Sequence, residues 1–339
     1  MLHANSKYSA APLPPLYAPL PIGEGTGVGL PIRLLPVTTC SKLRFLATPG
    51  MAQVIFTAMQ SSAHTDFEAT SWEDLQRLLF RETWDARIGR FRSPFVYRGG
   101  RSHHFMLDTS LQRLGGEYHA LEHHLLRNFR KYARDPTVPT TAATTWDWLA
   151  LAQHHGLPTR LLDWTYSPYV ALHFATVDLD GYGEDGVIWA LNYVKAAEHL
   201  PPPLRQALRQ EGSNVFTSEL LEPVSTNLRK LEVLQDEPFV LFLEPPSLDA
   251  RIVHQYALFS LMSTAQSVLH DWLADRPELY FRILIPARLK WEIRDKLDQA
   301  GITERNLFPG LGGLSRWLHR HYSPAAGRAA TGPGAELPG

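Results

Sequence analysis

The stretch Trp146 to Ala175, WDWLALAQHHGLPTRLLDWTYSPYVALHFA, reads as helix, turn, strand and helix within thirty residues. Thr145 to His155 places apolar residues at helical spacing. Gly156 stands where a C′ glycine belongs, and Pro158 keeps the helix from resuming. Ser167-Pro168 supplies an N-cap and a first-turn proline for the following helix, YVALHFATVD. The strand between them, Thr159 to Thr165, is unusual because it inserts Thr159, Arg160, Asp163 and Thr165 among Leu161, Leu162 and Trp164. Buried polar groups cost roughly 1–3 kcal/mol each when unpaired, so an internal network or a ligand must satisfy these. Strand alternation puts Leu161, Asp163 and Thr165 on one side.

Outward from this stretch, helices and strands alternate irregularly. Ser71 before WEDLQRLLF, with Asp74 three residues on, is a helix N-cap signature. FRSPFVYRGG reads as a strand from Phe95 to Arg98 that stops at Gly99-Gly100. GEYHALEHHLLRNFRKYARD has Leu121, Leu125 and Phe129 at helical spacing and ends at Asp135-Pro136. Strand-like GVIWALN, FVLFLEP and LYFRILIP follow, separated by helix-like LRQALRQEG and ARLKWEIRDKLDQAG, with no repeat. The class is α+β.

The chain of 339 residues has a net charge of −1, so the whole-molecule basic footprint of a nucleic-acid binder is missing while local patches stay open. A single cysteine, Cys40, excludes an internal disulfide or a cysteine-rich metal site and fits a reducing compartment, with the cytoplasm as default. No apolar run reaches the ~18–20 residues of a membrane span. Residues 1–62 mix proline, glycine and small residues without a period and are expected to be a disordered leader; residues 323–339 are expected to be a disordered tail.

Three segments carry the candidate chemistry. Tyr97-Arg98-Gly99 ends a strand with a cation and a glycine, suited to an anionic ligand whose other end meets exposed backbone. HHGLPTRLLDWTYSP is the second, and RIVHQYALFS, presenting His254 and Gln255, is the third. On these residues the chain resembles the FRG-domain family, whose name comes from an aromatic-Arg-Gly element. The likeness extends from Phe67 to His321, which the family implies to be one domain. More distantly, it resembles ADP-ribosyltransferases of the Arg-Ser-Glu type. These carry an aromatic-Arg-Gly strand, a Ser-Thr-Ser strand running into a helix, and a glutamate on a later strand. That likeness implies a split-sheet core with surrounding helices and NAD as co-substrate.

The same likeness distributes roles. Arg98 would hold the NAD diphosphate, the Gly99 backbone the carboxamide, and Tyr166 or Trp164 a π-face, with Thr165-Tyr166-Ser167 in the Ser-Thr-Ser place. Tyr97, His154, His155, Thr159 and Arg160 complete the expected cofactor pocket. Gln255 falls where a glutamate is wanted; it can hydrogen-bond a ribose hydroxyl but has no charge to stabilise an oxocarbenium ion. The carboxylate would then come from Asp163, or failing that from Glu122.

Blander readings stand beside these. Arg98 and Asp163 would form a structural ion pair. His154 and His155 would cap a helix C-terminus, and Ser167 would do no more than cap the next helix. His119-Ala-Leu-Glu122-His123 spells H-x-x-E-H, a zinc-hydrolase pattern, but five-residue matches arise by chance among 15 histidines, and the expectation is no metal. Arg127, Arg130, Lys131 and Arg134 share one helix face and would grip a nucleic acid or other anionic acceptor, or simply be solvated. The leading expectation is an enzyme that transfers ADP-ribose to a nucleic acid or protein or hydrolyses NAD, as a toxin or phage-defence effector would. The competing one is a non-catalytic ligand- or nucleic-acid-binding module.

Overall fold

The computed structural model describes residues 66–133, 142–247 and 250–324. The expected leader, nearly all of the expected tail, Arg134 and the Asp135-Pro136 helix stop lie outside these residues. The strands are β1 (Asp66–Glu68), β2 (Trp84–Asp85), β3 (Arg90–Phe91), β4 (Phe95–Gly100), β5 (Leu161–Thr165), β6 (Gly186–Asn192), β7 (Val240–Leu243), β8 (Ala257–Met262) and β9 (Tyr280–Ile285). Seven of them form one sheet in the order β1-β9-β6-β4-β5-β8-β7; β2 and β3 make a separate small hairpin. All neighbours in the large sheet are antiparallel except β1 and β9. The helices used below are α1 (Trp72–Leu79), α2 (Tyr118–Tyr132), α3 (Thr145–His154), α4 (Pro168–Thr176), α5 (Leu228–Glu232) and α6 (Lys290–Gln299). The class is therefore α+β, with a mixed sheet. No helix among the described residues is long and apolar enough to cross a membrane.

Local signals set the helix ends. Ser71 accepts the Asp74 amide to start α1, and Ser167 accepts the Val170 amide to start α4 with Pro168 behind it. Thr144 and Asp147 close a reciprocal capping box on α3, and Gly156 beyond its end has φ 81°, a left-handed conformation that glycine adopts without strain.

Two strand boundaries differ from the sequence expectation. β4 continues through both glycines because β6 pairs with them, Gly99 opposite Ile188 and Gly100 opposite Val187. β5 starts at Leu161, since the Thr159 carbonyl is taken by the Leu111 amide and the Ser110 hydroxyl of a neighbouring loop.

Alternation along the strands sorts the core. On one face, Phe95, Tyr97, Ile188, Ala190, Phe281 and Ile283 pack under α1, α4 and α6. On the same face beyond β4, Leu161, Phe259, Leu261, Leu241 and Leu243 pack in a separate cluster under α3, around Trp146 and Leu149. The opposite face buries Val96, Leu162, Trp164, Trp189 and Phe242 in a third cluster. The first two clusters divide between β4 and β5.

Candidate functional site at the parting of two strands

β4 pairs with β6 along its whole length, but with β5 only where Tyr97 meets Thr165. Past that pair the two strands separate. Arg98, next along β4, reaches across, and its Nη1 donates to the main-chain carbonyl of Asp163 at 2.5 Å. A guanidinium thus takes the place of a ladder hydrogen bond. Burial lowers its pKa, nearby Asp163 opposes that shift and Arg113 adds to it. Arginine stays protonated through such shifts, so the parting holds a half-buried cation. The expected Arg98–Asp163 ion pair is not what forms, because the bond goes to the backbone and leaves the carboxylate for other partners.

Asp163 is exposed although its four neighbours in LLDWT are buried. It shares a face with Leu161 and Thr165, and stands opposite buried Phe259 on β8. Its Oδ2 accepts the Gln153 amide of α3 at 3.0 Å, and Gln153 Oε1 accepts the Thr159 hydroxyl at 2.6 Å. The carboxylate is therefore held in place by neutral groups. Gln153 escaped the sequence reading; its position seven residues after Trp146 and four after Leu149, on the inward face of α3, was the available signal.

Other expected site residues have structural partners. Tyr97 is buried, its hydroxyl donates to the Leu79 carbonyl at 3.2 Å, and burial pushes its pKa up to about 12. Gly99 serves packing, because a Cβ there would lie 1.8 Å from the Ala171 carbonyl oxygen of α4. Its amide edge, expected to meet a carboxamide, lies in register with Ile188 of β6. Trp164 is buried with its indole donating to Ser260 at 2.8 Å, so it offers no free π-face. Thr165 donates to the Gln255 carbonyl at 2.6 Å and accepts the Ser167 amide at 3.0 Å. Tyr166 donates to Glu244 at 3.3 Å, a carboxyl whose pKa burial raises. Gln255 lies in the turn between the short helix Ala250–His254 and β8, and its amide donates to the Leu307 carbonyl at 3.0 Å. His154 and His155 end α3, with the His155 ring against Phe129 of α2.

Glu122 and Arg160 form a second centre. Arg160 is buried, grips Glu122 through both Nε and Nη2, and also binds Glu232 of α5 at 2.8 Å and the Ser263 carbonyl at 2.7 Å. Burial disfavours the Arg160 cation, and Glu122 and Glu232 outweigh it to raise the pKa. This centre floors a cleft of about 810 Å³ between α2 and α5, lined also by Arg127, Arg130 and Lys131 of the expected basic stripe. His119 and His123 are exposed on its wall while the H-x-x-E-H glutamate, Glu122, is buried and held in its ion pair with Arg160. Among the described residues no cluster of three or more histidine, cysteine, aspartate or glutamate side chains is arranged to hold a metal.

Residues 93–181 match the family pattern of the FRG domain. The matched segment runs from the start of β4 past the end of α4 and includes both strands of the parting. No curated protein and no solved structure matches the chain.

Proposed function

We propose that the parting of β4 and β5 is a nucleotide site where the N-glycosidic bond of NAD is cleaved and ADP-ribose passes to water or to an acceptor. The observation that carries the reading is Asp163, an exposed carboxylate in the middle of an otherwise buried strand, whose main-chain carbonyl is held by the half-buried cation Arg98 and whose charge acts on that cation through space. Breaking the bond from nicotinamide to ribose sends the bonding pair to the departing ring and leaves oxocarbenium character on the sugar. A fixed carboxylate stabilises that charge as it develops. Gln153 holds the carboxylate through a neutral bond and leaves its other oxygen open. Arg98 supplies a cation for the diphosphate, which must displace or share its bond to the Asp163 carbonyl. The likeness of Tyr97-Arg98-Gly99 and Thr165-Tyr166-Ser167 to Arg-Ser-Glu transferases supports the same reading. Gln255 and Glu122, tied to Leu307 and Arg160, leave the carboxylate role to Asp163.

The test is NAD consumption by the purified protein and its variants, with nicotinamide release as readout. Asp163→Asn should lower kcat by about a hundredfold or more while NAD still binds, since removing one preorganised stabilising group costs roughly 2.7–4 kcal/mol. Arg98→Ala should weaken NAD binding by about ten- to a hundredfold, the range for a charge-assisted bond of roughly 1.5–3 kcal/mol. Turnover undiminished in Asp163→Asn sinks the reading, and the parting then belongs to a binding module.

A further inference from the structure

The cleft between α2 and α5 differs in chemistry from the parting of the strands. Its two carboxylates, Glu122 and Glu232, are both engaged by Arg160. Its remaining charged groups, Arg127, Arg130 and Lys131 on α2 and Arg229 on α5, are all cations. Arg130 lies over the Trp148 ring and Lys131 over Tyr132, whereas Arg127 and Arg229 have no ion-pair partner among the described residues. In a chain of net charge −1, four cations around one cleft, with no carboxylate among its described lining residues outside the Arg160 ion pairs, is a local concentration of positive charge. Among the described residues no Phe, Tyr or Trp lines the cleft, the side chains on which bases stack most strongly. The described walls thus offer cations for phosphates, with the imidazoles of His119 and His123 as their aromatic groups.

We infer that this cleft grips the sugar–phosphate backbone of a single-stranded nucleic acid. Arg127 and Lys131 are one helical turn apart, about 6 Å along α2, and face Arg229 across the cleft, so cations line both walls of a path. A strand whose bases stay outside can follow that path. A free nucleotide gains little there, because it carries fewer phosphates than a strand and meets no Phe, Tyr or Trp among the described lining residues, and a duplex only rests across the mouth. The recognition is of backbone and therefore independent of sequence.

The experiment is fluorescence anisotropy with labelled single strands of about 12 nucleotides, RNA and DNA, titrated across salt concentrations. Neutralising four phosphates on a single strand gives a log–log salt slope near −2.8, so affinity should fall roughly fiftyfold from 50 to 200 mM salt. The double variant Arg127→Ala/Arg229→Ala removes exposed side chains that take no part in the Arg160 ion pairs with Glu122 and Glu232, and it should keep the wild-type melting temperature. Its slope should halve and its affinity at 100 mM salt should drop at least tenfold. Wild-type affinity and slope in the double variant overturn the proposal. So does competition by tripolyphosphate or a nucleoside triphosphate as tight as that of the strand, or preference for a duplex of the same length. The assay contains no NAD, so its outcome and that of the strand-parting reading are independent.

Discussion

Replacing Gly99 by alanine should lift helix α4 off strand β4. The new Cβ would lie 1.8 Å from the Ala171 carbonyl oxygen and 2.8 Å from its carbon and from the Ala175 nitrogen, where ordinary contact begins near 3.4 Å. Relief therefore needs a displacement of roughly 1.6 Å, and every obstructing atom is helix backbone that cannot rotate away. Overpacked cores lose about 1–3 kcal/mol, and a clash with main chain belongs at the top of that range. At roughly 2–4 °C per kcal/mol for a domain of this size, the melting temperature should fall by about 6–12 °C. Thermal melting followed by circular dichroism reads this directly, and NAD binding measured well below the transition reads the alternative role. A variant that melts within about 1 °C of wild type but no longer binds NAD would refute the packing argument and return Gly99 to the ligand.

Glu122→Gln strips Arg160 of its principal partner and leaves half-exposed Glu232 and the Ser263 carbonyl. It should cost about 3 kcal/mol, visible as a lower denaturation midpoint, with turnover per folded molecule unchanged; selective loss of turnover would give Glu122 a catalytic role instead. His173 is fully buried, accepts from Arg294 at 2.8 Å through Nδ1, and burial followed by the Arg294 charge lowers its pKa from 6.5 to about 3. The stability this contributes is intact above pH 6.5 and is lost as pH falls from there toward about 3. His173→Asn keeps an acceptor for Arg294 but removes the titration, so the slope of unfolding free energy with pH should drop by an amount approaching about 1.36 kcal/mol per pH unit between about pH 5.5 and 4.5; an unaltered slope contradicts it. Glu244 has the opposite sign, because burial raises its pKa above 4.5; its contribution is full below pH 4.5 and lost as pH rises through the folded value. Glu244→Gln should therefore gain stability over wild type on going from about pH 4 to about pH 7, and a difference constant with pH would rule this out.

The elements read correctly from sequence are those specified by neighbours along the chain. Ser71, Ser167-Pro168 and Gly156 act within one helical turn, and the structure places each of them at the helix end the sequence assigned to it. Gly99-Gly100 misleads for the opposite reason. Along the chain a glycine pair says stop, whereas here β6 pairs through it and α4, seventy residues later, requires the missing side chain. The polar strand shows the same division. That Arg160 needs a partner was legible, but Glu122 and Glu232 come from positions 38 and 72 residues away. The basic stripe on α2 was legible from its spacing. Arg229, on the far wall, belongs to a short helix with no pattern of its own and only the fold brings it opposite.

The cost of burying polar groups separates the four polar residues of Thr159 to Thr165, in β5 and just before it, by role. Thr159 bonds Gln153 and Ser110, Arg160 bonds two glutamates and a carbonyl, and Thr165 bonds Gln255 and Ser167. Each is at most 4% exposed, and those bonds remove the cost of burial. Asp163 is satisfied differently. One carboxylate oxygen takes a single neutral bond from Gln153, and the side chain stays open to solvent between Leu161 and Thr165, opposite Phe259. An apolar residue there would extend the cluster under α3 and, at an exposed position, would add only part of the roughly 1.5–3 kcal/mol that full burial gives. A strand that forgoes that stabilisation for a fixed, unneutralised charge, at the point where its neighbour β4 parts and sets a cation beside it, has the composition of a site for a ligand carrying both signs of charge. On the proposed reading NAD, with an anionic diphosphate and a ribose that becomes cationic as its bond breaks, would meet that pair with opposite charges.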